Sequence, residues 1–341
     1  MNILILGLGS VGQRHLRNLS VMYKKINFYT VRKKRITPSL SNKNKVISIN
    51  LEKKYKIKNF KSLNEIKKKK IDIFAALICT PSSKHANEAI WCINNDIHVF
   101  IEKPMCTSKI QLSKLMRVAR KKKNIISMIG YQMRFNPIIN FVRNFLEKNK
   151  KFGNVYYANI HHGEHIADFH KYENYKISYA SNKNLGGGVI LTQIHEIDYI
   201  QYIFKNYKLI NFKSIAAKLS TLEINVEDIY SAIILFIKNK RKLIVNLTCN
   251  YFQRPKKRAI HLISSNGSLE ADLNLNLVKY YIDGKRHVKK FKVDRNSIFK
   301  NEIKYFISLI ENKLKLKVDH QNIITDEKNI KLAFEIKKNS V

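Results

Sequence analysis

A short apolar run, Met1-Asn2-Ile3-Leu4-Ile5-Leu6, ends in Gly7-Leu8-Gly9-Ser10-Val11-Gly12, and apolar residues at helical spacing follow at once. Few features restrict a chain more. The first glycine permits a tight turn out of a strand, and the second lets the backbone approach a bulky group. The third lets helix and strand pack closely. Amides at the start of such a helix point at whatever lies over the loop and favour an anion. Gly7, Gly9 and Gly12, with Ser10 and Val11 between them, therefore predict a dinucleotide diphosphate site opening an α/β sheet.

The pattern that follows agrees. Apolar runs at 2–6, 26–31, 73–79, 98–101 and 125–129 alternate with helix-like segments at 11–23, 83–94 and 109–122. That alternation predicts a doubly wound parallel sheet with helices on both faces, in a first domain over residues 1–125. After Pro137 the texture changes. A long helix is expected at 188–204. Strands are expected at 209–219, 228–237, 242–251, 258–264, 268–273 and 277–282, with turns at Asn266-Gly267 and Asp283-Gly284. Strands without intervening helices imply a large, mostly antiparallel open sheet. Helices at 297–312 and 325–338 complete an α+β second domain, 126–341, whose terminal helix can pack back on the first. There is no internal repeat and no low-complexity linker.

The 341 residues carry a formal charge of +39, which raises the question of nucleic acid. The densest lysine clusters, 67–70 and 120–123, follow helix-like segments, where cations suit helix C-termini. No aromatic-interleaved basic stripe or zinc finger accompanies them, so we read a solvated lysine-rich surface and no specific nucleic-acid partner. The four cysteines are scattered without a Cys-x-x-Cys pair, so neither a metal site nor a disulfide framework is expected. The longest apolar runs, 74–79 and 229–237, are far short of the ~20 residues that span a bilayer. The glycine loop follows too soon for a secretory signal, and the expectation is a cytoplasmic protein.

Three further regions carry chemistry. The second strand ends Phe28-Tyr29-Thr30-Val31-Arg32-Lys33, with no carboxylate from 27 to 35 to hold a ribose 2′-hydroxyl. Thr30, Arg32 and Lys33 suit a 2′-phosphate instead, favouring NADP over NAD. Thr80-Pro81, with His85 shortly after, and Glu102-Lys103-Pro104 follow strands at the edge where open α/β sheets bind ligands. Lys103 can donate to a substrate oxygen and help move the proton that accompanies hydride transfer. Gly186-Gly187-Gly188 then opens a helix bearing Thr192, Gln193, His195 and Glu196. His195 is the natural acid/base there, although a helix histidine alone is more often structural.

Together these residues resemble the Gfo/Idh/MocA family, which includes glucose–fructose oxidoreductase and inositol dehydrogenase. The resemblance spans nearly the whole chain: Gly7 to His15, Thr80-Pro81 with His85, Glu102-Lys103-Pro104, Gly130-Tyr131-Gln132-Met133-Arg134-Phe135-Asn136-Pro137, and 186–198. The stretch 172–180, Val226-Glu227-Asp228 and Gln253-Arg254-Pro255 are similar to a subgroup found with surface-sugar biosynthesis. The resemblance implies a Rossmann domain followed by a domain with a large open sheet, and subunits paired as a homodimer or homotetramer. It implies that Lys103 and His195 act on a substrate hydroxyl or ketone, in a cleft also containing Tyr131, Arg134, His165, Thr192 and Gln193.

One departure stands out. Many relatives carry an aspartate shortly before the histidine, where this chain has Thr192. Either Lys103 serves His195 alone, or Glu164 or Glu196 substitutes. Glu196 is disfavoured because the next helical position points about 100° away. The expected activity is hydride transfer between NADP, or NAD, and a secondary alcohol or ketone of a sugar or nucleotide sugar. The competing expectation is a non-catalytic NADP-binding sensor or partner-stabilising module.

Overall fold

The structure, a computed structural model, describes residues 1–32, 38–311 and 320–341. The first layer comprises β1 (Asn2–Leu6), α1 (Ser10–Met22), β2 (Asn27–Val31), α2 (Leu51–Lys54), β3 (Lys58–Phe60), α3 (Leu63–Lys68), β4 (Ala75–Ile78), α4 (Ser82–Asn94), β5 (His98–Glu102), α5 (Lys109–Lys121) and β6 (Ser127–Gly130). Its strands pair in parallel in the order β3-β2-β1-β4-β5-β6. Successive residues of β1 feed opposite faces, which is why its sequence is apolar without a break. Ile3 and Ile5 pack with Leu16 and Leu19 of α1. Leu4 and Leu6 pack in the cluster that holds Ala86 and Ala89 of α4 and Leu112 and Leu115 of α5. Strand order reverses between β1 and β4, which opens a crevice at their C-terminal ends.

The chain continues with α6 (Pro137–Lys148), β7 (Val155–Gly163), α7 (Val189–Thr192), α8 (His195–Ile203), β8 (Lys208–Ala217), β9 (Ile229–Lys238), β10 (Arg241–Asn250), β11 (Lys257–Ser264), β12 (Gly267–Asp272), β13 (Leu277–Ile282), β14 (Lys285–Lys290), α9 (Arg295–Ile310) and α10 (Glu327–Lys338). The eight strands form one sheet in the order β14-β13-β12-β11-β7-β10-β9-β8, antiparallel except where β7 meets β10. Along β9, Tyr230, Ala232, Ile234 and Phe236 are buried, while Ile233 on the other face is 55% exposed. One face is core and one is open.

The structure departs from the sequence reading in several places. Pro137 does not merely end one texture; it starts α6, with Asn136 accepting from the Ile138 amide as cap. The central strand β7 went unassigned because its neighbours in space, β10 and β11, are distant in sequence. Strand β14 is exposed throughout and shows no apolar alternation. The parallel sheet takes in β6, past the expected division at 125. It is α9, not the terminal helix, that returns to the first layer: Ile303, Phe306 and Ile307 join Ile3, Ile5 and Phe100. Helix α10 packs instead mainly on α7, α8 and β8.

The expected helix at 188–204 is two helices, α7 and α8, with a turn at Gln193-Ile194. The cause is local. An unbroken helix would give the Thr192 carbonyl the amide of Glu196. Here that amide donates to the Gln193 carbonyl at 3.2 Å, and the Thr192 carbonyl accepts from Lys103 Nζ at 2.6 Å.

Candidate active site

The glycine loop turns on backbone geometry. Gly7 has φ +88°, and a Cβ there would lie 2.5 Å from the Cys79 carbonyl oxygen. A Cβ on Gly12 would lie 2.0 Å from the Gly7 carbonyl oxygen, whereas one on Gly9 would meet nothing within 4 Å. The first and third glycines are thus required by the turn and the helix contact. Gly9 keeps open space above the loop. No side chain caps α1 and no acidic residue stands in its first turn, so its leading amides, from buried Ser10 and half-buried Val11, remain for an anion. These residues fit a dinucleotide diphosphate.

The other strand ends interlock around that crevice. His15 of α1 and Glu102 of β5 pair at 3.1 Å, Nε2 to Oε1, in the interior. His85 spans two turns: Nδ1 lies 2.8 Å from the Pro104 carbonyl oxygen and Nε2 2.7 Å from that of Thr80. Burial pushes the imidazole down while both carbonyls push it back; the net direction is down. The Thr80 hydroxyl donates to Glu88 Oε2 at 2.6 Å, and Pro81 stands at the start of α4. Burial pushes the Glu88 carboxyl up to about 7. Thr80, His85 and Glu102 therefore brace the crevice through side-chain groups committed to the protein.

At the end of β2 one expectation is corrected. Thr30 is buried, and its hydroxyl donates to the Ile5 carbonyl at 2.8 Å, turned away from any cofactor ribose. Arg32 pairs with Glu52 of α2, 3.6 Å between Nη1 and Oε1. The carboxylate absent from 27–35 thus arrives from elsewhere in the sequence. Lys33 lies outside the described residues.

Lys103 and His195 meet where the two layers join. The Lys103 ammonium is held by the Thr192 carbonyl, and burial lowers its pKa against the pull of Glu102 and Glu196. His195 is pushed well below the ordinary histidine value, first by burial and then by Lys103, Arg258 and His162. A neutral imidazole beside an ammonium can accept a proton from a hydroxyl while the ammonium steadies the oxygen left behind. Its Nδ1 is buried without a hydrogen-bond partner. Glu196 does not turn to His195: its Oε1 lies 2.9 Å from His162 Nδ1 and 2.7 Å from Arg258 Nη2. Burial opposes its ionisation, but Arg258 and His162 outweigh that and hold the carboxyl below its usual range. Glu164 stands 3.7 Å from His162 and 3.9 Å from Lys256.

The expected cleft residues divide. Arg134 grips Asp198 of α8 with two donors, Nε to Oδ2 at 2.8 Å and Nη2 to Oδ1 at 2.7 Å. The Tyr131 hydroxyl donates to Asp326 Oδ2 at 3.2 Å, and Asn329 Nδ2 bridges Asp326 and Asp198. Both residues therefore spend their polar groups inside the protein, and Tyr131 offers His195 only a ring edge, centroids 5.9 Å apart. Gln193 stays near the cleft, buried, with Nε2 3.4 Å from the Asn250 carbonyl oxygen and Oε1 unpartnered. His165 caps a short turn, its Nδ1 accepting from the Ala167 amide at 3.3 Å. Sequence reasoning missed His162, Arg258 and Asp326. The first was lost with β7, and the last two are single residues that only tertiary contact brings to the site.

Comparison with known proteins adds the decisive observation. Residues 1–131 match the family described as "Oxidoreductase family, NAD-binding Rossmann fold", GFO_IDH_MocA. Over these residues the chain is similar to the NAD-binding domain of the Gfo/Idh/MocA family. Among curated relatives, levoglucosan dehydrogenase of Pseudarthrobacter phenanthrenivorans is 28% identical over 142 residues, 41% of this chain and 35% of that one. Trans-1,2-dihydrobenzene-1,2-diol dehydrogenase of Xenopus laevis is 27% identical over 203 residues, 57% of each chain. The matched segments thus span about a third to just over half of these relatives. Among solved structures, levoglucosan dehydrogenase in complex with NADH superposes with TM-score 0.79 at 13% identity, covering 99% of this chain and 96% of that one. UDP-N-acetylglucosamine 3-dehydrogenase from Acidithiobacillus ferrooxidans gives 0.74 at 16%, covering 100% and 97%. At these identities the likeness is one of fold: a Rossmann sheet followed by a large, mostly antiparallel sheet. The family is one of NAD-binding oxidoreductases with sugar dehydrogenases among its members. Among the described residues, no helix is long and apolar enough to cross a membrane, and no cluster of His, Cys, Asp or Glu could hold a metal ion.

Proposed function

We propose that the chain catalyses reversible hydride transfer between a nicotinamide dinucleotide and a secondary alcohol or ketone of a sugar, free or nucleotide-linked. The observation that carries this reading is the bond from Lys103 Nζ to the Thr192 carbonyl, one turn ahead of His195. It supports an ammonium and an imidazole acting together on the substrate oxygen. The bound nicotinamide supplies or accepts the hydride. In the oxidative direction, neutral His195 takes the proton of the substrate hydroxyl. Lys103 has two N–H groups left after the Thr192 bond, and one would hydrogen-bond the substrate oxygen without giving up its proton, stabilising the developing charge. Among the described residues, the case for a 2′-phosphate now rests on Arg32.

Subunits pair, on this reading, through the open face of the large sheet, where Ile210, Ile215, Ile233 and Ile244 are between 44% and 56% exposed. Screening sugars and nucleotide sugars for a change in nicotinamide absorbance tests the activity. Turnover of any of them that is lost in a Lys103 variant supports the reading. A second reading, a nicotinamide-binding sensor without turnover, is favoured by the unpartnered Nδ1 of His195. It predicts cofactor binding with no absorbance change on any substrate.

A further inference from the structure

The segment 164–188 crosses from the large sheet to α7 and is fixed at both ends. At its start, the Glu164 and Ile166 amides donate to the Asn250 and Tyr251 carbonyls at 3.2 and 2.8 Å. Arg254 Nε holds Asp168 Oδ2 at 2.9 Å. At its end, the Gly187 and Gly188 amides donate to Asn182 and Ala180, and the Val189 amide to Glu227. Between these anchors the segment reaches the first layer. His170 Nε2 lies 3.5 Å from Ser10 Oγ, and Tyr172 stands on the same side of the segment. The two rings stack, centroids 5.3 Å apart and 28° between planes. Glu173 Oε1 lies 2.7 Å from His170 Nδ1, which fixes the ring with Nε2 toward the loop.

Ser10 is the first residue of α1, the position where the helix amides meet a diphosphate. Its conformational neighbours on the helix bring no free cation to that anion: Arg14 is engaged with Asn296, Asn42 and Asn44, and His15 with Glu102. We propose that 164–188 is a strap that closes over the cofactor diphosphate, with His170 and Tyr172 as its contact residues. Glu173 on Nδ1 turns the Nε2 edge of His170 toward the loop, where a phosphate oxygen would meet it. The Tyr172 hydroxyl supplies a second donor. The diphosphate would lie between the glycine loop and the strap, where His170 Nε2 stands near Ser10 Oγ. The first layer thus contributes amides to the phosphates and the second layer contributes side chains, so binding couples the two.

The proposal rests on the nicotinamide-dinucleotide reading of the glycine loop, and the test separates the two. Dissociation constants and off-rates for NADH, NADPH, ADP-ribose and adenosine are measured on the full chain and on H170A and Y172F. The expected result is a loss of about tenfold for each dinucleotide and for ADP-ribose in H170A, mainly through faster release, with adenosine unchanged. Y172F is expected to show a smaller loss of the same pattern. Full retention of ADP-ribose affinity in both variants, or equal losses on adenosine, overturns the strap alone. Failure of the unaltered protein to bind any diphosphate-containing ligand overturns the cofactor reading and the strap with it. Both contact residues are partly exposed, and near-ultraviolet spectra and melting points of the variants check that they fold.

Discussion

Lys103 Nζ donates to the main-chain carbonyl of Thr192 across 2.6 Å, joining the turn after β5 to the end of α7. The bond stands at the break in the helix that the sequence suggests, and His195 starts the new one. Thr192 is thus used through its backbone.

Replacing Lys103 by methionine keeps the stem of the side chain and removes the donor. Turnover is expected to fall by at least about a hundredfold, with cofactor affinity nearly unchanged. Steady-state rates beside a fluorescence titration of NADH check this. A variant that turns over as fast as the parent removes Lys103 from the chemistry.

His195 resists protonation because burial and nearby cations disfavour its charged form. The active base therefore persists on the acid side of 6.5, and the fall of kcat/KM toward low pH is expected below that value. The same shift has a stability sign. The unfolded chain takes up a proton near 6.5 that the folded chain refuses, so the contribution is present above 6.5 and lost as pH falls toward the folded value. A pH–rate profile with a limb at or above 6.5 that disappears in H195N would contradict the assignment of a depressed base.

Asp326 behaves in the opposite sense. Burial, with Asp198 nearby, raises its carboxyl from 3.8 to about 7, so the folded protein keeps it protonated where the unfolded chain has released its proton. That contribution is present below the unfolded value and lost as pH rises through about 7. Asp326→Asn retains an oxygen for Gln321 and Asn329 and removes the titration. Relative to the parent, the variant is expected to gain on the order of a few kcal/mol between about pH 4 and pH 7. Urea unfolding across that range checks it, and a difference that stays flat with pH refutes it.

Arg32→Ala is expected to weaken NADPH by about tenfold more than NADH, since only the former presents a 2′-phosphate. Equal losses on both would assign Arg32 to the Glu52 contact alone.

Ile233→Glu sets a charge in the middle of the open sheet face, where the isoleucine is 55% exposed. Sedimentation is expected to report an oligomer in the parent and a smaller species in the variant, both folded. Identical species would move the interface elsewhere.

Much of the fold was legible because its determinants are local. The glycine loop, the unbroken apolar runs of the parallel sheet and the alternation of β9 to β13 each follow from steric and burial rules acting within a few residues. Strand β7 was not legible. Its sequence, Val-Tyr-Tyr-Ala-Asn-Ile-His-His-Gly, has no turn partner beside it and gains its place only between β10 and β11.

By itself, the sequence determined a Rossmann layer with a tight glycine turn at Gly7, Gly9 and Gly12 and an antiparallel layer after it, and it singled out Lys103 and His195 as candidates. Tertiary structure alone decided which polar residues are spent holding the protein together. Arg134 finds Asp198, Tyr131 finds Asp326, Thr30 finds the Ile5 carbonyl and Glu196 finds Arg258. A buried polar group must be satisfied, and its partner is set by the packing of elements far apart in the chain. Residue type and spacing show what a side chain can do; only its neighbours in space decide whether it is free to do it.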